Sequence, residues 1–213
     1  MVNKKTKEKV SPSVIRRLPR YRRCLKELLE KGIIRISSRE LGEITGYTAS
    51  QIRQDLNNFG GFGQQGYGYH VNDLYKEVGR ILGLNKTYDV IIVGAGNLGR
   101  AVAHYTYYNK MGFRIAAAFD INPDLIGLKV NDVEVSGYQD LKEYLKKNKV
   151  DIAVIATDKG SAQSVADDLC AGGVKGIWNF AAADLKVSQD VVLENVHLSD
   201  SLYALAYYIN QQD

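Results

Sequence analysis

Hydrophobic and polar positions change their period several times along the 213-residue chain. Helical spacing comes first, in SPSVIRRLPRYRRCLKELLEKG, and it predicts a long helix that begins near Ser11 or Ser13 and ends at Gly32. Pro12 suits the first turn of this helix. Pro19 lies inside it, and because proline lacks the backbone N–H, we expect a bend or an interruption there.

Two short helices with capping sequences follow. A Ser or Thr stands three residues before a Glu or Gln in Ser37–Glu40 and in Thr48–Gln51, as in a capping box. The pattern predicts helices over Arg39–Thr45 and Ala49–Asn58, with a turn at Gly46. Two short helices joined by a tight glycine-containing turn favour a helix-turn-helix.

The second of these helices has its apolar residues on one face, since Ile52 and Leu56 are spaced i, i+4. The remaining side chains are polar and suit contacts with base edges or phosphates in a major groove. They are Ser50, Gln51, Arg53, Gln54 and Asn57. A polar, solvated face on an ordinary pair of helices is the alternative interpretation.

Glycines and aromatic residues alternate in FGGFGQQGYGYHV, over Phe59–Val71. Tyr67 and Tyr69 alternate as in a strand, and a glycine-rich hairpin after a recognition helix is typical of a winged helix. Gln64 and Gln65 form the tip, which we expect to reach the DNA backbone or minor groove. A flexible linker is the alternative, but linkers rarely carry this many aromatic residues.

A further helix, Asn72–Leu82 with Asn72 as its cap, completes a predicted winged-helix domain over residues 1–83.

The basic residues are concentrated in the first part of the chain. Residues 1–80 contain 16 Lys and Arg against 8 Asp and Glu, or +8, whereas residues 81–213 contain 12 against 16, or −4. This asymmetry suggests a basic module that meets a polyanion, although charge taken alone favours a solvated surface.

A glycine-rich turn opens the second half. The apolar strand Asp89–Val93 runs into Gly94-Ala95-Gly96-Asn97-Leu98-Gly99, and an apolar helix is predicted over Leu98–Tyr108. In a dinucleotide-binding turn the first glycine permits the tight turn, the second lets the backbone approach the pyrophosphate, and the third lets the helix pack on the strand. The N–H groups that begin the helix then face the phosphates.

An acidic residue stands where such a site holds the ribose. The strand Phe113–Phe119 ends at Asp120, which is 120 − 99 = 21 residues beyond Gly99. A carboxylate accepts hydrogen bonds from both ribose hydroxyls and repels a 2′-phosphate. The residues after Asp120, Ile121-Asn122-Pro123, include no arginine, so the sequence favours NAD(H) over NADP(H).

The rest of the second half alternates as a doubly wound α/β fold does. We predict a Rossmann-like domain over residues 84–198 with a parallel sheet, built from strand Val150–Ala156, helix Ser161–Ala171 and strands Gly176–Phe180 and Val191–Val196. Thr157 and Asn179 follow strands at their carboxyl ends, where open α/β sheets bind ligands.

A last helix is predicted over residues 199–213. Its apolar stripe has helical spacing and consists of Leu202, Leu205, Ala206 and Ile209. Because this helix follows a complete sheet, its apolar face needs a partner in its own domain or in another subunit.

Catalytic groups are hard to find. His70, His104 and His197 have no carboxylate at suggestive spacing. Tyr138 and Lys142 have the Tyr-x-x-x-Lys spacing of short-chain reductases, but they come too early in the chain for that role. A cofactor site without catalytic groups, joined to a basic winged helix, indicates a regulator and not an enzyme. An NAD-dependent oxidoreductase with an accessory helical module and a dimer with permanently bound NAD are the alternatives.

Other classes of protein fit poorly. Cys24 and Cys170 are isolated and lack metal-ligand spacing, so we expect no metal site. The charged start MVNKKTKEKV has no apolar segment, and no apolar run reaches the length of a membrane helix. We therefore expect a cytoplasmic protein.

Several ordered stretches together resemble the Rex family of bacterial redox-sensing transcriptional repressors. They are SSRELGEITGYTASQIRQDLNNFGGFGQQGYGY, LGLNKTYDVIIVGAGNLGRA, FDINPDLIG, GIWNFA and LENVHLSDSL. The resemblance implies a homodimer that exchanges its C-terminal helices and binds an A·T-rich inverted repeat. It also implies that NADH releases the protein from DNA, whereas NAD+ permits or supports binding.

The resemblance assigns a switch to a few residues. Tyr105 matches a tyrosine near the nicotinamide, and Arg23 matches an arginine that links the two domains. His197 stands where the family often has aspartate, so the network that joins Arg23, an acid and Tyr105 is rewired or uses Asp200. Some members also carry basic residues in place of Gln54 and Gln65.

Overall fold

The computed structural model describes residues 10–64, 67–105 and 112–211, and the chain divides into two compact units between Lys86 and Thr87. The first unit contains, in order, α1 (Pro12–Glu30), β1 (Arg35–Ile36), α2 (Ser38–Thr45), α3 (Ala49–Asn57), β2 (Gly63–Gln64), β3 (Gly68–His70) and α4 (Val71–Ile81).

The first unit is a winged helix, as predicted. Helices α2 and α3 form the helix-turn-helix around Gly46, which has a φ of 76°. Strands β2 and β3 pair in antiparallel fashion as the wing, and β1 completes a sheet of order β1-β3-β2. The core under this sheet is apolar and contains Leu18, Leu25, Leu41, Ile52, Leu56, Leu74 and Val78.

Two local predictions about the first unit were wrong, namely an interruption of α1 at Pro19 and a helix cap at Asn72. Helix α1 runs without interruption through Pro19, whose missing N–H would have bonded to the exposed Ile15, a position where water can take its place. Asn72 is not a helix cap, because α4 begins at Val71 directly after β3. Val71 is fully buried, and its N–H donates to the carbonyl of Ile34 at 2.9 Å.

The second unit contains a seven-stranded sheet with helices on its faces. Its elements are β4 (Tyr88–Val93), α5 (Asn97–His104), β5 (Phe113–Asp120), β6 (Lys129–Val130), β7 (Val133–Gly137), a 3-10 turn (Tyr138–Asp140), α6 (Leu141–Lys147), β8 (Ile152–Ile155), α7 (Ala162–Ala171), β9 (Gly176–Asn179), β10 (Val192–Asn195) and α8 (Leu198–Asn210).

This sheet has the order β10-β9-β8-β4-β5-β7-β6, and all of its pairs are parallel except β6 with β7. The doubly wound parallel sheet is therefore confirmed, while the short hairpin of β6 and β7 was not predicted. Successive side chains of a strand point to opposite faces of the sheet, so they belong to two different hydrophobic cores. Ile91 and Ile155 lie on the side of α6 and α7, and Val90 and Val154 lie on the side of α5.

Helix α5 is shorter than predicted. It ends at His104, and Tyr105 leaves the helical conformation with φ −63° and ψ 84°. Asn131, in the turn between β6 and β7, closes this end of the helix. Its amide donates to the carbonyl of Ala103, and its Oδ1 lies 2.7 Å from Nδ1 of His104. The predicted continuation to Tyr108 lies outside the described residues.

Helix α8 contains no buried residue. Its apolar side chains are exposed over much of their surface, from 55% for Leu205 and Ile209 to 71% for Tyr203. The helix therefore presents an apolar surface that no other described part of the chain covers.

Candidate functional site

The turn between β4 and α5 has the geometry that the glycine pattern predicts. Gly94 has a φ of 97°, and a methyl group added to it would lie 2.6 Å from the carbonyl oxygen of Ala156. A methyl group on Gly99 would collide with the carbonyl of Gly94. Gly96 has open space around its Cα instead. Gly94 and Gly99 are thus needed for packing, whereas Gly96 leaves room for a ligand.

Asp120 ends β5 beside this turn. Its Oδ2 accepts a hydrogen bond from the N–H of Ala95 at 2.6 Å, and its Oδ1 accepts one from the N–H of Asn122 at 2.8 Å. These bonds fix the carboxylate at the carboxyl edge of the sheet. Each oxygen retains a lone pair for a further donor such as a sugar hydroxyl.

A cavity of about 300 Å³ opens at this edge of the sheet. Gly94, Gly96, Asp120 and Thr157 line it, as their positions after strands predict. Ten further lining residues were not predicted as site residues, and they are Val93, Ile121, Asn122, Leu125, Tyr138, Ala156, Asp158, Ser161, Ser164 and Val165. Most of them end or follow a strand, so that position was the available signal, whereas Ser164 and Val165 lie in the first turn of α7.

The cavity fits the adenosine and phosphate part of a dinucleotide. It combines the hydrogen-bonded carboxylates of Asp120 and Asp158, an apolar wall and backbone next to the start of α5, whose first N–H groups have no partners within the helix. Asn97 and Leu98 form that first turn. The volume of the cavity lies at the lower end of the range for small-molecule sites.

Tyr138 and Lys142 both bind Asp168 instead of forming a catalytic pair. The hydroxyl of Tyr138 donates to Oδ2 of Asp168 at 2.9 Å, and Nζ of Lys142 lies 2.9 Å from Oδ1. Burial and the bond to Asp168 raise the pKa of Tyr138 to about 12. A reductase tyrosine needs a lowered pKa, so this pair has a structural role.

Asn179 does not line the cavity. It is fully buried, and its amide donates to the carbonyl of Ala183 and to Oδ1 of Asn195, both at 2.9 Å. Its Oδ1 accepts from the N–H of Ala181 at 3.0 Å. The structure thus uses Asn179 to hold the segment between β9 and β10, because every polar atom of its side chain is already bonded there.

The residues implied for a switch lie on different elements. Arg23 is on the exposed face of α1 in the first unit, and Tyr105 is 58% exposed just after α5. His197 caps α8, and its Nε2 lies 3.7 Å from Oδ1 of Asp184. Asp200 lies in the exposed first turn of α8.

The polar residues of α3 form an exposed face, as expected. Ile52 and Leu56 are buried, and Ser50, Arg53, Gln54 and Asn57 are exposed, with Gln51 half-buried. Nη1 of Arg53 donates to the hydroxyl of Ser38 at 2.9 Å. Gln64 ends β2, and Gln65 lies outside the described residues.

Among residues 10–64, 67–105 and 112–211, no helix is both long and apolar enough to cross a membrane. Within the same ranges, no three His, Cys, Asp or Glu side chains lie close enough together to hold a metal ion.

A winged helix followed by a dinucleotide-binding domain defines the class of ligand-responsive DNA-binding regulators. The family profile described as "Putative DNA-binding protein N-terminus" matches residues 9–57, and the profile "CoA binding domain" matches residues 85–183. A redox-sensing transcriptional repressor Rex from Caldanaerobacter subterraneus subsp. tengcongensis is 59% identical over 96% of this chain and 91% of its own. The chain therefore belongs to the Rex family of redox-sensing transcriptional repressors, which are regulators and not enzymes.

Solved structures of RSP, a Rex-family repressor, have the same fold. RSP in complex with β-NADH has a TM-score of 0.90 at 55% identity and covers 96% of each chain. RSP in complex with β-NAD+ and operator DNA has a TM-score of 0.91 at 57% identity, covering 96% of this chain and 94% of its own.

Proposed function

We propose that this protein is a transcriptional repressor that measures the ratio of NADH to NAD+. It binds its operator through the winged helix and leaves the operator when NADH occupies the second unit. The observation that carries the proposal is the Asp120 carboxylate, held next to the glycine turn in a chain that begins with a winged helix. The complexes of RSP with NADH and with NAD+ and operator DNA support it.

The cofactor site takes NAD(H) in preference to NADP(H). Asp120 binds the adenosine ribose, and the backbone of Gly94 to Gly99, with Ala95, Asn97 and Leu98 between them, holds the pyrophosphate. Thr157 lines the same cavity from the end of β8. Tyr105 lies near the nicotinamide. Asn179 supports this site only indirectly, since its amide is bonded within the protein.

The DNA site consists of the exposed face of α3 and the tip of the wing. Ser50, Gln51, Arg53, Gln54 and Asn57 enter the major groove, while Gln64 and Gln65 reach the backbone or minor groove. Arg53 is exposed close to Ser38 at the start of α2, and the first helix of a helix-turn-helix crosses the phosphate backbone, which supports a phosphate contact by Arg53.

Two copies of the chain form the active species. The apolar surface of α8 and an apolar groove of about 350 Å³ on the α5 side of the sheet both suit coverage by another protein surface. Val154, Trp178 and Val192 line this groove. A two-fold symmetric dimer that exchanges α8 binds an inverted repeat, because operator symmetry mirrors protein symmetry. The A·T-rich composition of this repeat is what membership of the Rex family implies. The dimer acts on DNA in the cytoplasm.

The switch follows from the charge of the cofactor. The nicotinamide ring of NAD+ is positively charged and that of NADH is neutral, so a site that prefers the neutral ring in one dimer arrangement favours that arrangement. Arg23, Tyr105, His197 and Asp200 form the network that reads the ring. Recognition helices must match half-sites about 34–36 Å apart, so a small rotation weakens binding.

Fluorescence anisotropy of a labelled inverted-repeat duplex, titrated with protein at fixed salt, tests the proposal. NADH is expected to raise the apparent Kd for DNA, and NAD+ is not. Linkage requires operator DNA to weaken NADH binding by the same factor. Tight DNA binding that is unchanged by either nucleotide would favour the alternative in which NAD is a fixed prosthetic group, or would mean that the effector is a different ligand. Steady hydride transfer to a small carbonyl compound would instead favour an oxidoreductase.

A further inference from the structure

Helices α1 and α3 are joined by a largely buried ionic group, in which the Arg17 side chain is 17% exposed. Nε and Nη2 of Arg17 donate to Oδ2 and Oδ1 of Asp55 at 2.6 and 2.7 Å. The hydroxyl of Tyr21, one turn further along α1, donates to Oδ2 of Asp55 at 2.7 Å. Asp55 is 2% exposed and Tyr21 is fully buried. We call Arg17, Tyr21 and Asp55 the α1–α3 clasp.

Stability alone gives no strong reason for such a group. The clasp borders an apolar core that includes Leu18 and Ile52. A buried ion pair contributes little more than well-packed apolar side chains do, because both charges lose their hydration. The ion pair does fix geometry, since a guanidinium that binds both oxygens of one carboxylate sets the relative orientation of the two side chains.

The orientation of Asp55 determines where the neighbouring exposed side chains of α3 point. Asp55 faces inward next to Leu56, while Gln54 and Asn57 on either side are exposed. Side chains extend roughly 5–6 Å from a helix axis, so a rotation of about 20° moves their ends by about 2 Å. Hydrogen bonds to base edges do not tolerate such a displacement.

The same residues of α1 also contact the turn before α3. The guanidinium carbons of Arg17 and Arg20 lie 5.9 and 5.4 Å from the centre of the Tyr47 ring. The Tyr21 ring meets Tyr47 edge to face at 5.7 Å. Helix α1 therefore holds α3 both at its inner face and at the turn from which it starts.

We infer that Asp55 is a positioning residue for operator recognition, because the clasp fixes the rotation of α3 about its own axis. The inference rests on the proposed function, in which the exposed face of α3 reads the operator. Burial raises the pKa of Tyr21, and the hydrogen bond to Asp55 raises it further. The Tyr21 hydroxyl therefore remains a donor at physiological pH.

The test replaces the clasp with apolar residues of similar shape, in the full-length variant Arg17→Met/Tyr21→Phe/Asp55→Leu. We expect a folded protein whose Tm by circular dichroism equals or exceeds that of the wild type. Its operator affinity should fall about tenfold or more, as expected for the loss of base contacts, while its affinity for a random duplex stays within about twofold. Its NADH affinity should not change.

A second variant covers the case in which the first does not fold. Arg17→Lys keeps the charge but loses the planar fork, so the ratio of operator to random-duplex affinity should fall about three- to tenfold. A folded variant of either kind that retains the wild-type ratio overturns the inference.

Two variants on the exposed face of α3 separate this inference from the proposed function. Asn57→Ala and Arg53→Ala leave the clasp intact and should weaken operator binding. If they weaken it and the clasp variants do not, Asp55 has no positioning role. If neither weakens it, α3 does not read the operator, and the proposed DNA site fails first.

Discussion

The carboxylate of Asp120 accepts a hydrogen bond from the backbone N–H of Ala95 at 2.6 Å, across 25 residues of sequence. Asp120 thereby binds the glycine turn itself, so the groups proposed to hold the ribose and the pyrophosphate are parts of one rigid arrangement. A change at Asp120 is expected to affect both.

Asp120→Asn should weaken NADH binding about tenfold or more, because the charge-assisted bonds to the ribose hydroxyls each contribute about 1.5–3 kcal/mol. It should also reduce the preference for NADH over NADPH, since the repulsion of the 2′-phosphate disappears. Isothermal titration calorimetry with both nucleotides measures this. The control is Asp124→Asn, an exposed carboxylate nearby that does not line the cavity. An unchanged NADH affinity in Asp120→Asn would remove Asp120 from the site.

Alanine substitutions at two glycines of the turn should affect different properties, stability at Gly99 and NADH affinity at Gly96. Gly99→Ala places a methyl group against the Gly94 carbonyl and should destabilise the second unit by about 1–3 kcal/mol, as overpacking does. Gly96→Ala meets nothing within 4 Å, so its Tm should match the wild type while its NADH affinity falls. Thermal unfolding and NADH titration of both variants give the comparison. A stable Gly96→Ala protein with normal NADH affinity would contradict the assignment.

Arg53→Ala should weaken operator binding and lower the slope of log K against log salt by about one, if Arg53 neutralises a phosphate. Lys76→Ala is the matched control, because it removes one exposed positive charge from α4. Fluorescence anisotropy at several salt concentrations measures both slopes. Equal slopes for the two variants would show that only the net charge matters.

Leu205→Glu on the apolar stripe of α8 should shift the protein from dimer to monomer, since a charge in an apolar interface costs several kcal/mol. Ala204→Glu lies on the opposite side of the same helix and should leave the dimer intact. Sedimentation velocity distinguishes the two species. A monomeric wild type would refute the proposed dimer before either variant is considered.

Tyr138 should make folding stability depend on alkaline pH. Its pKa is raised from 10.0 to about 12, so the folded state holds the phenolic proton more tightly than the unfolded state does. The stabilisation is fully present below pH 10 and is lost as the pH rises through about 12. Urea unfolding at increasing pH should show this extra loss in the wild type and not in Tyr138→Phe. Parallel curves would indicate that the phenol titrates normally.

The local pattern was sufficient to predict most elements of the fold. Ser37 and Thr48 begin helices as expected, because their side-chain oxygens accept bonds from the N–H groups three residues later. The glycine turn and Asp120 also follow from spacing alone. Each of these features depends on contacts between residues close in sequence or on a motif with one geometry.

Elements with weak local signals were missed. Strands β6 and β7 are short, and their pairing depends on a turn in which Asn131 adopts a φ of 57°. Asn131 also ends α5 by binding Ala103, a residue 28 positions earlier. No pattern within α5 indicates that end, because the partner comes from another part of the chain.

By itself, the sequence determined a winged helix, a parallel sheet with a dinucleotide turn and an apolar last helix, because periodicity, caps and glycine spacing act locally. Only the tertiary structure decided which polar groups are available for ligands. It buries Asn179 in its own hydrogen bonds, pairs Tyr138 with Asp168, and joins Arg17 to Asp55 across 38 residues. Such partners are set by how distant segments pack, and no local pattern encodes them.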